Sequence, residues 1–377
     1  MDALRILITN HGLKNRAGSE LYVRELALGL LRSGHSPIVY SPKLGEVAAE
    51  IRKATVPVVD DLSSVSVKPD LIHGHHHVET MTALLHFPHV PAVFFCHGWL
   101  PWEETPPHFP RILRYVAVDD TCRDRLVCEH GIAEESVHVI LNFVDLKRFA
   151  QRTELPAKAR RALVFSNSAT ESSYVAHVRE ACRRAGISLE VIGSQAGRTS
   201  EQPEKLLGQY DIVFAKARCA LEALAVGTAV VLCDQAGLGP MVTTTNLESL
   251  RRLNFGIRTL QQTIDDPGGV EKEIARYDAT DAMEVSCRVR RVCGFEDALT
   301  EIVALYSEVI AEHEQSPLHD PEAESRAAAE YVRQLPSLLA HEGDVLANSA
   351  TFRLRNRLLK IPIAGSLARS ISQRITN

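Results

Sequence analysis

The sequence predicts an α/β protein made of two open, doubly wound, mostly parallel sheets in tandem. Three observations carry this. Short continuous apolar runs recur, as in strands covered on both faces. Segments of helical period separate them. The alternation stops at a polar stretch after Phe149 and then restarts.

The first run is LRILIT (Leu4 to Thr9), followed by the polar, glycine-containing loop NHGLKNRAGS. From Ser19 to Ser33, apolar residues at Leu21, Val23, Leu26, Leu28, Leu30 and Leu31 fall mostly on a helical repeat that Gly34 closes. SPIVYS completes a β-α-β unit, and DLIHG, AVFFCHG, YVAVDD and VHVILNFV continue the series. The stretch after Phe149, with one proline, reads as a linker over residues 151–160 between a first domain at 1–150 and a second at 161–315. In the second half ALVFSNS, SLEVIGS, DIVFAKA and AVVLCD are the strand runs, and YVAHVREACRRAG and CALEALAVG the helices. Residues 316–377 read as a helical extension, broken at Pro336, with a tail that is basic from Ala350 onward. In such sheets ligands bind beyond the carboxyl ends of the strands, where His11, His73, His97 and Asn142 fall.

Composition narrows the function classes. The chain has 377 residues, 45% hydrophobic and 24% charged, which suits a globular protein rather than a disordered one. A net charge of −5 gives no reason to expect nucleic-acid binding, which needs a clustered basic surface. Eight cysteines without a C-x-x-C pair read as buried thiols of a reducing compartment. The N-terminus lacks the pattern of a signal peptide, and no run approaches the roughly 20 apolar residues of a membrane-spanning helix. The expected location is cytoplasmic, with any membrane contact peripheral on the inner face, through the leucines and arginines of the tail. A tail packed back onto the protein is the alternative.

Several segments resemble the GT-B glycosyltransferases, family 4 in particular. In the first half these are AGSELYVRELALGLLRSGHSPIVYS, PDLIHGHH, FFCHG and YVAVDDTCRDRLVCEHGI, ending in VHVILNFVDLKRF, where Asn142, Val144, Asp145 and Phe149 are the most specific match. In the second half YDIVFAKARCALEALAVGTAVVLCDQAGLGPMV resembles the donor-binding block. The resemblance implies two Rossmann-like domains facing a cleft, the second holding a nucleotide-sugar donor and the first a glycan or lipid-linked acceptor. It implies a metal-independent hexosyl or related transfer that retains anomeric configuration, with no cofactor beyond the nucleotide-sugar co-substrate. Assembly of a surface polysaccharide or glycolipid is the context it suggests. A nucleotide-sugar 2-epimerase of the same architecture is an alternative. So is a non-catalytic sugar-nucleotide or glycan-binding subunit, because Phe214 stands where the family usually has a second glutamate and FSNSATESSY contains no cation.

The candidate site residues follow. His97 matches the family histidine near the transferred sugar, and Glu222 is expected at a helix start, able to accept two hydrogen bonds from ribose hydroxyls; these two are the catalytic candidates. Lys216 and Arg218 are the nearest cations for a diphosphate. Ser166 and Asn167, after the first strand of the second half, and Gly237, Gly239 and Asn246, after a later strand, complete the donor set. Gly18 and Ser19 offer backbone donors before the first helix, and His73, His75 and Asn142 join them as candidates for an acceptor or phosphate. The four histidines of PDLIHGHHHVET fail as a metal motif: H-x-H-x-D-H needs an aspartate where His77 stands and a histidine where Val78 stands. No metal site is expected; contacts to an acceptor and structural contacts at the strand end both stay open for these imidazoles.

Overall fold

The computed structural model describes residues 3–171, 173–315 and 320–347, so the basic tail beyond Ala350 lies outside the described residues. The first lobe is a seven-stranded parallel sheet of β1 (Arg5–Thr9), β2 (Ser36–Tyr40), β3 (Val58–Val59), β4 (Leu71–His75), β5 (Ala92–Cys96), β6 (Ile112–Ala117) and β7 (Val137–Val139), in the order β3-β2-β1-β4-β5-β6-β7. Its helices are α1 (Gly18–Arg32), α2 (Glu46–Lys53), α3 (His77–His86) and the short α4 (Asp120–Asp124). Ile6, Leu7 and Ile8 are wholly buried because helices cover both faces of β1. Strand order reverses beside β1, and the loops leaving β1 and β4 diverge there into a crevice.

The second lobe is a five-stranded sheet of β8 (Arg161–Phe165), β9 (Ser188–Ile192), β10 (Ile212–Ala215), β11 (Ala229–Asp234) and β12 (Gly237–Met241), ordered β12-β11-β10-β8-β9. It carries α5 (Val175–Arg184), the short α6 (Pro203–Leu206), α7 (Ala217–Val226), α8 (Leu247–Arg252), α9 (Pro267–Ile274) and α10 (Ala279–Val292). β12 runs antiparallel to β11 at the edge, where a ligand loop was expected.

The last two helices, α11 (Phe295–Gln315) and α12 (Pro321–Ala347), return to the first lobe. Ile302, Leu305, Tyr306 and Val309 of α11 enter the core beneath β1 and α1. Gly29 makes that approach possible, because a Cβ there would collide with the Phe295 ring. Gly29→Ala is therefore expected to cost about 1–3 kcal/mol of stability, measurable as a lower denaturant midpoint. Ala327, Ala328 and Tyr331 of α12 pack on the other face. Pro336 does not break α12 as expected. The carbonyl of Val332, which its missing N–H leaves free, belongs to an exposed residue where water can reach it.

The chain passes between lobes at two adjacent points. Core membership changes between Phe143 and Val144, ahead of the polar stretch at 151–160. The return passes Gly294, where Val144 N–H donates to the Cys293 carbonyl at 2.9 Å and Phe295 N–H to the Val144 carbonyl at 3.1 Å. This double crossing leaves a cleft between the carboxyl edges of the two sheets.

Candidate active site in the cleft between the lobes

Two cavities share a wall in the cleft. The larger, about 610 Å³, is lined from the second lobe by Ser166, Asn167, Gly193, Arg218 and Glu222, and from the first by Arg16, Ala17, Gly18 and Glu46, with Arg148 at the crossing. The smaller, about 450 Å³, lies against the first lobe and is lined by Ser19, Glu20, Tyr22, His97, Glu104 and Asn142 among others. Ala17, Gly18 and Arg218 belong to both.

Arg218 is the junction. It donates to Glu222 Oε1 at 2.8 Å within α7 and to Glu25 of α1 across the cleft. Burial opposes its charge, but Glu25 and Glu222 together raise its pKa, so it stays a cation. Burial likewise raises Glu222 against the pull of Arg218. Glu222 is 5% exposed yet faces the larger cavity. It is the sixth residue of α7 rather than its opening one, because the helix begins at Ala217, so its partner is the arginine and not the free amides of a helix end.

The cations missing from FSNSATESSY come from elsewhere. Arg148 bonds Glu204 at 2.9 Å, and Arg16 pairs with Glu46 and Glu50; both line the larger cavity beside Arg218. The sequence reading missed both, although Arg148 lies inside VDLKRF and Arg16 inside NRAGSE. Lys216 lines neither cavity: its ammonium sits 3.4 Å from Asp234, which also accepts from the Ser166 and Ser168 hydroxyls at 3.1 Å. Asn167 Oδ1 accepts from Ser194 N–H at 3.3 Å.

Other expected donor residues have structural duties away from the cleft. A Cβ at Gly237 would lie 2.5 Å from the Gln262 carbonyl, and one at Gly239 2.6 Å from that of Thr259, so these glycines let β12 pack against the segment at 259–262. Asn246 closes a turn, accepting from Thr243 N–H at 2.8 Å and donating to the Met241 carbonyl at 3.0 Å. In contrast, Gly18 and Ser19 open α1 toward the cleft beneath a helix start with no side-chain cap. Gly18 meets nothing that a Cβ would disturb, so close packing is not what places glycine there.

Each of the four clustered histidines has a separate partner. His73 and His75 alternate onto one face of β4 and are wholly buried, so neither reaches an acceptor as expected. His73 Nδ1 meets Tyr306 Oη of α11 at 2.5 Å, and His75 Nδ1 meets His97 Nε2 at 2.8 Å. His76 Nδ1 accepts from His11 N–H at 3.0 Å while its Nε2 lies 3.7 Å from Glu104 Oε1. His77 bonds Tyr331 Oη at 2.9 Å. Among the described residues no group of three or more His, Cys, Asp or Glu side chains is arranged to hold a metal. Burial pushes His76 and His97 down to about 3 and His77 to about 4, so all three imidazoles are neutral at pH 7.

His97 lines the smaller cavity. Its partner His75 has a buried Nε2 with no hydrogen-bond partner among the described residues. A bare nitrogen is tolerated there better than an orphan N–H, which assigns the His75 proton to Nδ1, donating to His97 Nε2. His97 then carries its own proton on Nδ1 and offers a donor, not a base. Glu104, which the sequence reading also missed, accepts from His97 N–H at 2.8 Å, and burial pushes its carboxyl up to about 7.

Residues 16–148 match the family model described as Glycosyltransferase Family 4. A glycosyltransferase from Rickettsia africae shares 13% identity over 82% of this chain and 99% of its own, with a TM-score of 0.59. HepE from Anabaena, solved in complex with UDP and glucose, shares 14% over 81% and 99%, with a TM-score of 0.56. The fold is GT-B. A protein described as a UDP-N-acetylglucosamine 2-epimerase from Listeria monocytogenes also has it, at 12% identity over 85% of this chain and all of its own, TM-score 0.52. No curated protein matches the sequence. In GT-B terms the larger cavity lies on the side of the second lobe, the smaller on the side of the first, and Arg218 stands where they meet. No described helix is long and apolar enough to cross a membrane.

Proposed function

We propose that the protein is a glycosyltransferase that takes a sugar from a nucleoside-diphosphate donor in the larger cavity and passes it to an acceptor in the smaller. The observation that carries this reading is the buried Arg218–Glu222 pair at the junction of the two cavities. Transfer forms a bond from the acceptor oxygen to the anomeric carbon and breaks the bond to the diphosphate, whose electron pair stays on the leaving oxygen; the acceptor hydroxyl's proton passes to the departing diphosphate. Negative charge grows there, and Arg218, supported by Arg16 and Arg148, supplies positive charge beside it. Glu222 positions Arg218 and offers a carboxylate to ribose hydroxyls. His97 donates its Nδ1 proton as a hydrogen bond to an oxygen of the transferred sugar. Retention of configuration and a role in surface polysaccharide or glycolipid assembly are the corollaries that the family resemblance suggests.

A thermal-shift panel of UDP-glucose, UDP-N-acetylglucosamine and GDP-mannose tests the reading. A donor at a hundred times its Kd should stabilise by about 2.7 kcal/mol. Acceptor-dependent nucleotide release must follow. Isomerisation without acceptor would assign a 2-epimerase instead, and no response to any nucleotide sugar would remove the donor site. His97→Ala is expected to lower turnover roughly 100-fold, as loss of a single preorganised donor does, while leaving the donor's thermal shift in place. Unchanged turnover would remove His97 from the chemistry.

A further inference from the structure

Tyr22 stands in the second turn of α1 and in the wall of the smaller cavity, and only 5% of it is exposed. Four rings hold it. Their centroids lie 4.5 Å away for His97, 5.0 Å for Phe143, 5.5 Å for His75 and 6.3 Å for Phe95. A phenylalanine would make every one of these contacts, so packing accounts for the ring and leaves the hydroxyl unexplained.

A phenol buried to this degree ordinarily hydrogen-bonds a neighbour. Among the described residues Tyr22 Oη has no such partner. His75 Nε2 and Asn254 Oδ1 also lack partners, but they are closed off from water inside the packing; Tyr22 Oη is not so enclosed, and the space its residue borders is the smaller cavity. Burial, and next the nearby Glu25 carboxylate, raise the pKa of the phenol, so it keeps its proton at pH 7 and is no base. It has one proton to donate and lone pairs to accept with, the complement of a sugar hydroxyl.

The neighbours of Tyr22 say which sugar. His97, whose ring it touches, faces the same cavity, and Arg218, near enough for its charge to act on the phenol, stands where the two cavities meet. A sugar joined to a diphosphate beside Arg218 and extending toward His97 therefore lies against Tyr22. We propose that Tyr22 Oη binds a ring hydroxyl of the transferred sugar, beside the contact from His97, and so helps to select which sugar is carried. This rests on the transferase reading. The four surrounding rings fix the hydroxyl in advance, so little side-chain freedom is lost when the sugar arrives.

Tyr22→Phe in the full chain keeps the ring and removes one oxygen. Calorimetry gives Kd for UDP, GDP, UDP-glucose, UDP-N-acetylglucosamine and GDP-mannose in both proteins. For the nucleotide sugar that the wild type binds best, the ratio of its Kd to that of its free nucleotide should rise about fivefold in the variant, the loss of one neutral hydrogen bond. The Kd of the free nucleotide should keep its wild-type value, which also shows that the variant is folded. Among the monodeoxy analogues of that sugar, one should cost the wild type the same factor and the variant nothing further, as a direct contact requires. An unchanged ratio, or losses that add for every analogue, would overturn the proposal and leave the transferase reading standing; an unchanged ratio with slower acceptor-dependent turnover would move the hydroxyl to the acceptor. If no nucleotide and no nucleotide sugar binds, the transferase reading falls and this inference with it.

Discussion

Arg218→Ala is expected to abolish donor-induced stabilisation and to destabilise the protein by about 3–5 kcal/mol, the usual cost of removing one partner from a buried ion cluster. The reason is what the variant leaves behind. Glu25 and Glu222 are both buried, and Glu25 Oε2 already lacks a partner among the described residues. Without the guanidinium, two carboxylates face each other across the lobes. Adding Glu25→Gln and Glu222→Gln to the alanine variant removes those charges and should restore most of the stability, while donor binding stays lost. Denaturant midpoints and the nucleotide-sugar thermal shift separate the two effects. A single variant as stable as the parent would show that the cluster does not tie the lobes together.

The second large effect is with acid. Burial lowers the pKa of His73, His75, His76, His77 and His97, and also of His35 and His130. In the unfolded chain these histidines titrate near 6.5, so below that pH the unfolded state binds protons the folded state refuses. Stability is complete above about pH 6.5 and falls as the pH drops toward about 4 and 3, where His77 and then His76 and His97 finally charge in the fold. Among the described residues six groups act in the opposite sense, including Glu20, Asp119, Glu222 and Glu301, whose carboxyls burial raises. Glu104, raised to about 7, binds its proton more readily folded than unfolded and gains stability as pH falls from 7 toward 4.5, and His11, raised by Glu79, contributes stability that is present at low pH and lost as pH rises. They are outnumbered. Each neutral histidine contributes roughly 1.4 kcal/mol per pH unit within its window, so Tm should fall on the order of 10 °C between pH 6.5 and 5. Calorimetry across that range decides it, and a flat Tm would mean that the imidazoles accept protons in place.

The strand runs and helical periods alone were enough to place two parallel sheets and a crevice at their carboxyl ends, because burial on both faces leaves continuous apolar stretches that no other packing needs. Arg218 and His97 were legible for the same reason, since they stand just past such runs, where any open sheet exposes its ends, whereas Glu222, the sixth residue of α7, was legible only through the resemblance of its segment to a donor-binding block. Alternation also put His73 and His75 on one face of β4, but whether that face met solvent or protein depended on α11, whose Tyr306 arrives 233 residues later in the chain. The glycines of β12 carried a signal that fits a ligand loop and a tight backbone approach equally well, and only the neighbouring carbonyls of Thr259 and Gln262 distinguish them. Arg16 and Arg148, each unremarkable in its own segment, line one cavity with Arg218 because the chain crosses between lobes beside Val144 and brings the two sheet edges to one cleft. Local periodicity is written residue by residue; the company a charge keeps across a cleft is set by contacts between distant segments, which no local pattern encodes.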